Sequence, residues 1–519
     1  MLINAIKENI YSIKKLDRQS IQIQLQSDHN VSDMKPDIKK IIQNDCKLTI
    51  EEYSLETNRI KFKGKVMCDI LYLAENNENP IHNITVDFDF EDFINLDEIK
   101  VDDIVNLSGN VENVRVEMLN SRKIHVSALA EITGKAEGKE KKEVIVNIED
   151  IKDLQIKKNT ISARQLIANK NDKFIIKDEI AVPMEKANIS EILWCDINIK
   201  NKNVKVLEGK TVINGELNVS VLYIGENDDK PMEFIENDVS FSGIIVTEGS
   251  TQDMYSNVDM KIGKQYIQVM PDIDGEERVL ELEVVSDLNV KVYSMDAKEM
   301  VEDLYSTSQN LKVIKKNECI EKLVCKNQMQ GIINETIKLN TNMPAIMQVL
   351  YASAKPKIDD IELLNDRVIA EGVIFAKIIY VAEDDDNPLC SFDETIPFKQ
   401  VIETRNSKPN DSVEINPSVE YTTCNMISSN EVDIRCSIVF DTNVIEQQDV
   451  ELITEIEEDE EEKKEIPGVV VYVLEQGETL WDIAKAYSTS VDELLKINDI
   501  EEEKKIVAGD KILIVKNLK

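Results

Sequence analysis

Residues 64–80 read Gly64-Lys-Val-Met-Cys-Asp-Ile-Leu-Tyr72-Leu-Ala-Glu75-Asn-Asn-Glu-Asn-Pro80. The same frame returns as Gly215, Tyr223, Glu226 and Pro231, and again as Gly372, Tyr380, Glu383 and Pro388. Ten residues past each proline stands a phenylalanine, at Phe90, Phe241 and Phe398. This is an internal repeat with a period of about 150 residues. Successive strand side chains point to opposite faces, so Val66, Cys68 and Ile70 share a face with Tyr72. Leu217, Val219 and Val221 do the same with Tyr223, and Ile374, Ala376 and Ile378 with Tyr380. The Asn- and Asp-rich run closed by proline favours a turn, which puts a hairpin at the centre of each copy.

Working outward, a strand is expected at Ile21 to Leu25 and a short helix over Pro36 to Ile42. The apolar pair Ile41 and Ile42 recurs as Ile192 and Leu193, and as Val349 and Leu350. A second hairpin follows the first in every copy: Val111 to Met118 with Ile124 to Ile132, Ile267 to Met270 with Val279 to Val285, and Val419 to Ile427 with Val432 to Phe440. The polar stretches Lys135 to Lys142 and Ser306 to Lys316 read as connectors. The expected fold is therefore mainly β: three tandem β-rich repeat domains with one short helix each, over 1–148, 149–310 and 311–446. Residues 447–466 follow as an acidic linker. Glu446 to Glu465 carries eleven acids against two lysines, a self-repelling composition that opposes folding.

At 519 residues the chain is too long for one core. Its net charge of −38 argues against nucleic acid or an anionic membrane as the main partner, since both require basic patches. No apolar run is long enough to span a bilayer, and Met1 to Asn30 lacks the apolar core of a signal peptide, so a cytosolic protein is expected. The eight cysteines are scattered without a C-x-x-C pair and are expected as free thiols.

Residues 467–519 form a separate module of order β-α-α-β. Val469 to Val473 is a β-branched strand. Thr479 with Asp482, then Ser490 with Glu493, are capping-box patterns opening two short helices. Leu480, Ile483, Ala484 and Tyr487 repeat at helical spacing, and Gly509-Asp510 turns the chain into Ile512 to Val515. The frame Tyr472-x-Val-x-x-x-Gly477-Glu-Thr479-Leu480-Trp481-x-Ile483-Ala484, with Leu494, Asn498 and Gly509-x-Lys-Ile512-x-Ile514, resembles the LysM domain. The resemblance implies a shallow groove for N-acetylglucosamine glycans, lined by Gly477, Glu478, Thr479 and Leu480 on one side and Asn498, Asp499 and Ile500 on the other. Glu478 stands where an aspartate is usual, and Glu501 to Glu503 add carboxylates to the rim. Inside a cell the same module would bind protein instead, with Trp481 either an interface anchor or part of the module's own core.

Three copies of the Gly…Tyr-x-x-Glu…Pro frame followed by such a module resemble the SPOCS-domain, LysM-bearing spore-coat morphogenetic proteins of endospore-forming Firmicutes, of the clostridial SipL type. The resemblance implies a mother-cell protein at the forespore surface, a non-enzymatic scaffold of coat assembly. It would bind a SpoIVA-like coat morphogenetic ATPase through the LysM module and other coat proteins or itself through the repeats. A glycan-binding protein of spore cortex or wall is the alternative.

No catalytic constellation emerges. The three histidines, His29, His82 and His125, all lie in the first copy, and no phosphate loop, zinc spacing or nucleophile elbow is present. Glu75, Glu226 and Glu383 recur without a partner acid or base, which reads as solvated turn carboxylates. Asp384 to Asp386 lacks the ligand spacing of a calcium loop. No cofactor and no metal site is expected.

Overall fold

A computed structural model describes residues 5–75, 80–97, 99, 103–226, 232–384, 386–459, 468–500 and 506–515. Pro231, Asp385 and the rim carboxylates Glu501 to Glu503 lie outside the described residues.

Each repeat contains six long antiparallel strands. In the first they are β1 (Ala5–Asn30), β2 (Ile38–Glu56), β3 (Arg59–Ala74), β4 (Ile81–Asn95), β5 (Ile104–Asn120) and β6 (Lys123–Ile148). They form two three-stranded sheets, β2-β3-β4 and β1-β6-β5, which share one apolar core. The second repeat follows the same plan with β7 (Leu154–Ala181), β8 (Ile189–Leu207), β9 (Lys210–Gly225), β10 (Met232–Val246), β11 (Tyr255–Pro271) and β12 (Glu277–Ser306). The third comprises β13 (Leu311–Lys338), β14 (Ile346–Leu364), β15 (Arg367–Ala382), β16 (Leu389–Glu403), β17 (Ser412–Ser428) and β18 (Glu431–Glu458).

The quoted stretch is β3, the central strand of its sheet, as are its counterparts β9 and β15. Tyr72, Tyr223 and Tyr380 are fully buried, and each hydroxyl donates to a backbone carbonyl 36 residues earlier: Pro36 at 3.1 Å, Ala187 at 3.0 Å and Pro344 at 3.0 Å. The next turn is tied back alongside, the N–H groups of Glu75, Glu226 and Glu383 donating to Asp37, Asn188 and Ala345. The glycine and phenylalanine of the frame are cross-strand partners: Gly64 with Phe90, Gly215 with Phe241, Gly372 with Phe398. A Cβ on Gly64 would stand 2.4 Å from the Phe90 ring, so the ring lies where a side chain would be.

The short helix expected near Pro36 to Ile42 is absent; the segment ends in β2, and the described helices are both in the C-terminal module. The apolar pair reflects a β-bulge instead. Register shifts fall at Ile41/Gln43, Ile192/Trp194 and Val349/Tyr351, so consecutive apolar residues face different cores. Ile41, Ile192 and Val349 pack into their own repeats. Ile42, Leu193 and Leu350 instead meet in one cluster built from all three, with Leu71, Leu222 and Ile379.

The first expected connector is strand: Lys135 to Lys142 lies in β6 opposite β1. The second is shorter than expected, since Ser306 ends β12 and Leu311 to Lys316 opens β13, leaving residues 307–310 as the link between the second and third repeats. The acidic run is corrected likewise: β18 continues past Glu446 to Glu458, so the third repeat ends near 458 and not at 446. Its repulsion is offset by lysines on β13, with Lys322–Glu446 at 3.4 Å, Lys315–Glu451 at 3.4 Å and Lys312–Glu457 at 3.7 Å, while Leu452 and Ile453 are buried. Residues 460–466 lie outside the described residues. The free-thiol expectation fails for one pair: Cys46 and Cys68, opposite each other on β2 and β3 with Cα atoms 4.1 Å apart, form a disulfide.

The outer ends of β1/β6, β7/β12 and β13/β18 are two-stranded ribbons that pack on one another through Ile145, Val301 and Ile453, and through Ile10, Ile161 and Ile320. The three repeats are thus joined at both ends.

Candidate functional site

The C-terminal module comprises β19 (Val469–Val473), α1 (Leu480–Ala486), α2 (Val491–Ile497) and β20 (Lys511–Val515), with β19 antiparallel to β20. Thr479 closes a complete capping box: its hydroxyl oxygen accepts from the Asp482 N–H, and the Asp482 carboxylate accepts from the Thr479 N–H at 2.9 Å. The second box is only half made. Ser490 accepts from the Glu493 N–H, but the Glu493 carboxylate accepts from the Thr489 hydroxyl at 2.8 Å.

Of the residues named as groove-lining, Gly477, Thr479 and Asp499 are exposed. Gly477 and Asp499 hold positive φ, 91° and 52°, each at a tight corner of a loop. Glu478 accepts from the Tyr472 hydroxyl at 2.8 and 2.9 Å and from the Glu475 N–H at 3.0 Å, which fixes the loop before α1. That bond, with burial, pushes the Tyr472 phenol up to about 12. Leu480 is a core residue. Asn498 donates to Leu494 and Leu513 carbonyls, both at 2.8 Å, and accepts from the Leu513 N–H at 2.7 Å, pinning α2 to β20. Ile500 is half-buried on the module's core.

Trp481 is half-buried, and its partners lie on another domain. Its ring packs edge-on against Tyr305 at 4.9 Å between centroids, and its indole N–H donates to Asp303 at 2.9 Å. Lys485 reaches both oxygens of Asp303 at 2.7 Å, and the Tyr305 hydroxyl donates to the Thr489 carbonyl at 2.8 Å. The module is therefore seated on the end of β12, in the second repeat, although it follows the third in sequence. Burial works against the Asp303 charge, yet the bonds from Lys485 and Trp481 hold its carboxyl below the usual range. Single-sequence reasoning missed Asp303 and Tyr305. The signal was faint: Tyr305 is the aromatic at a position where the first and third ribbons carry Glu149 and Glu457.

Elsewhere, the described residues contain no cluster of histidine, cysteine and carboxylate groups suited to a metal. Asp384 accepts from the Asp386 N–H and the Asn387 amide, as a turn residue does. No described helix is long and apolar enough to cross a membrane.

The family model for the SipL SPOCS domain matches residues 37–119, 188–270 and 345–427, and that for the LysM domain matches 472–515. No curated protein and no solved structure matches the chain. Each SPOCS match runs from the start of one sheet to the end of the first strand of the second hairpin, and so leaves the long outer strands unmatched. With three SPOCS domains, a LysM domain and sporulation and coat roles that go with them, the chain belongs to the SipL-type SPOCS/LysM proteins.

Proposed function

We propose that this protein is a non-enzymatic scaffold of endospore coat assembly, acting at the forespore surface in the mother cell. Its LysM module binds a SpoIVA-type coat ATPase through the face that bears Gly477, Thr479 and Asp499. The observation that carries this reading is the seating of the module: Trp481 is occupied by the second repeat, while the loop residues before α1 and after α2 stay exposed. A module held on the second repeat through Trp481, Lys485 and Tyr305 has its orientation constrained before a partner arrives, which lowers the ordering cost of binding. Both domain families are non-catalytic, consistent with the lack of an acid–base pair shared by the repeats.

The second reading, glycan binding, follows from the LysM fold itself. Co-purification of the full chain with a SpoIVA-type ATPase, in parallel with a pull-down on purified peptidoglycan, separates the two. Binding to the ATPase, lost at least tenfold in Thr479→Arg/Asp499→Arg, is the expected result. Retention on peptidoglycan without ATPase binding assigns the face to sugar.

A further inference from the structure

Where the three repeats meet below the ribbons they leave an open cavity of about 1150 Å³, with walls drawn from all three. Its wall carries eight carboxylates against six lysines and arginines, so it is acidic as a whole and any positive region in it is local. Among the wall carboxylates, Glu137 pairs with Lys291 at 2.5 Å, Asp259 with Lys261 at 3.5 Å, Asp287 with Lys173 at 3.9 Å, and Glu51 with Lys264 at 2.5 Å. Glu321 and Glu414 each lie 3.6 Å from Arg164. Asp17 accepts from the Asp97 and Arg18 N–H groups, and Asp172 from the Lys173 N–H.

Two wall cations have no such match. Arg18 and Lys135 are direct cross-strand partners on β1 and β6, and among the described residues neither has a carboxylate within ion-pair distance. Like charges placed opposite each other on a sheet destabilise it. The arrangement is notable in a chain with 99 acids against 61 lysines and arginines, where a neutralising carboxylate is the cheapest residue to place. Burial, then the charges of Arg18 and Lys261, holds the Lys135 ammonium below its ordinary range. Deeper in the wall, the Arg164 side chain is 3% exposed and its Nε has no hydrogen-bond partner among the described residues. The ring of Tyr293 lies 4.0 Å from its guanidinium.

We propose that this cavity binds a small multivalent anion bearing phosphate or carboxylate groups, held by Arg18 and Lys135 of the first repeat with Lys261 of the second. Such a ligand would neutralise the opposed pair and tie the first repeat to the second, so binding and the integrity of the body are coupled. The inference is independent of which partner the LysM module takes.

Calorimetric titration and thermal melting of the full chain at fixed ionic strength, with pyrophosphate and citrate as probes and sodium chloride as control, test it. Saturable binding by either probe, with a higher Tm, is expected; pyrophosphate alone indicates phosphate ligands, citrate alone polycarboxylates. Arg18→Gln/Lys135→Gln should weaken binding at least tenfold while leaving the unliganded Tm unchanged or raised. Should that pair fail to fold, Lys261→Gln provides the same comparison with at least threefold weaker binding. Absence of saturable binding by both probes, or unchanged affinity in the variants, overturns the proposal.

Discussion

At the scale of single residues, the repeated tyrosine is the feature that recurs most completely. Its hydroxyl crosses the core to a carbonyl at the entry of the preceding strand, so one side chain fills the core and fixes where the chain enters it. Tyr223→Phe keeps the packing but leaves the Ala187 carbonyl unsatisfied, and should destabilise the chain by about 1–2 kcal/mol in urea unfolding. Burial pushes the phenols of Tyr72 and Tyr223 up to about 12. Because the folded state keeps these protons longer than the unfolded chain does, the stabilisation is full below about pH 10 and is lost as pH rises toward 12. Wild type should unfold across that window, and Tyr72→Phe/Tyr223→Phe should show a shallower alkaline decline in the far-UV circular dichroism.

At the scale of elements, strand length is what the repeats and the module depend on. The outer halves of β1, β6, β7, β12, β13 and β18 extend beyond the matched SPOCS regions, and the end of β12 supplies Asp303 and Tyr305 as the seat for α1. Asp303→Ala/Tyr305→Ala should release the module without unfolding it. The expected outcome is a larger radius of gyration in small-angle scattering with an unchanged helical signal, since Thr479, Asp482, Leu480 and Ile483 hold the module internally. The Asp303 carboxyl is depressed in the docked state, so the seating is stable above about pH 4 and weakens as pH falls through its lowered pKa. Scattering recorded from pH 7 down to 3 should show release in wild type at the acid end.

At the scale of the molecule, polar contacts give each inter-repeat surface its own chemistry. Lys47 of the first repeat lies 3.3 Å from Asp196 of the second, which also accepts from Tyr351 of the third at 2.5 Å. Around them Trp194 and Tyr351 pack at 4.4 Å between ring centroids, within the apolar cluster that all three repeats share. Copies of one frame have diverged at equivalent positions, here Asp45, Asp196 and Ser353, so the repeats are not interchangeable. Asp196→Ala should cost about 2–3 kcal/mol, below the range for fully buried pairs because Lys47 keeps 27% of its side chain exposed. Unfolding should then separate into more than one transition by calorimetry as the repeats uncouple.

The sequence by itself determined the triplication, the central hairpins, the second hairpins and the LysM module, because each is written in local spacing: parity along a strand, turn residues between strands, caps before helices. The acidic run, the first polar connector, the apolar pairs and the scattered cysteines were misleading for one common reason. Their meaning lies in a residue far along the chain: Glu446 is matched by Lys322, Lys135 lies opposite Arg18, Ile42 meets Leu193 and Leu350, and Cys46 faces Cys68. The role of Trp481 is of the same kind. Its helical position was readable, but only the folded chain brings Asp303 and Tyr305 to it, across more than 170 residues of sequence, because a contact at that separation leaves no local spacing to read.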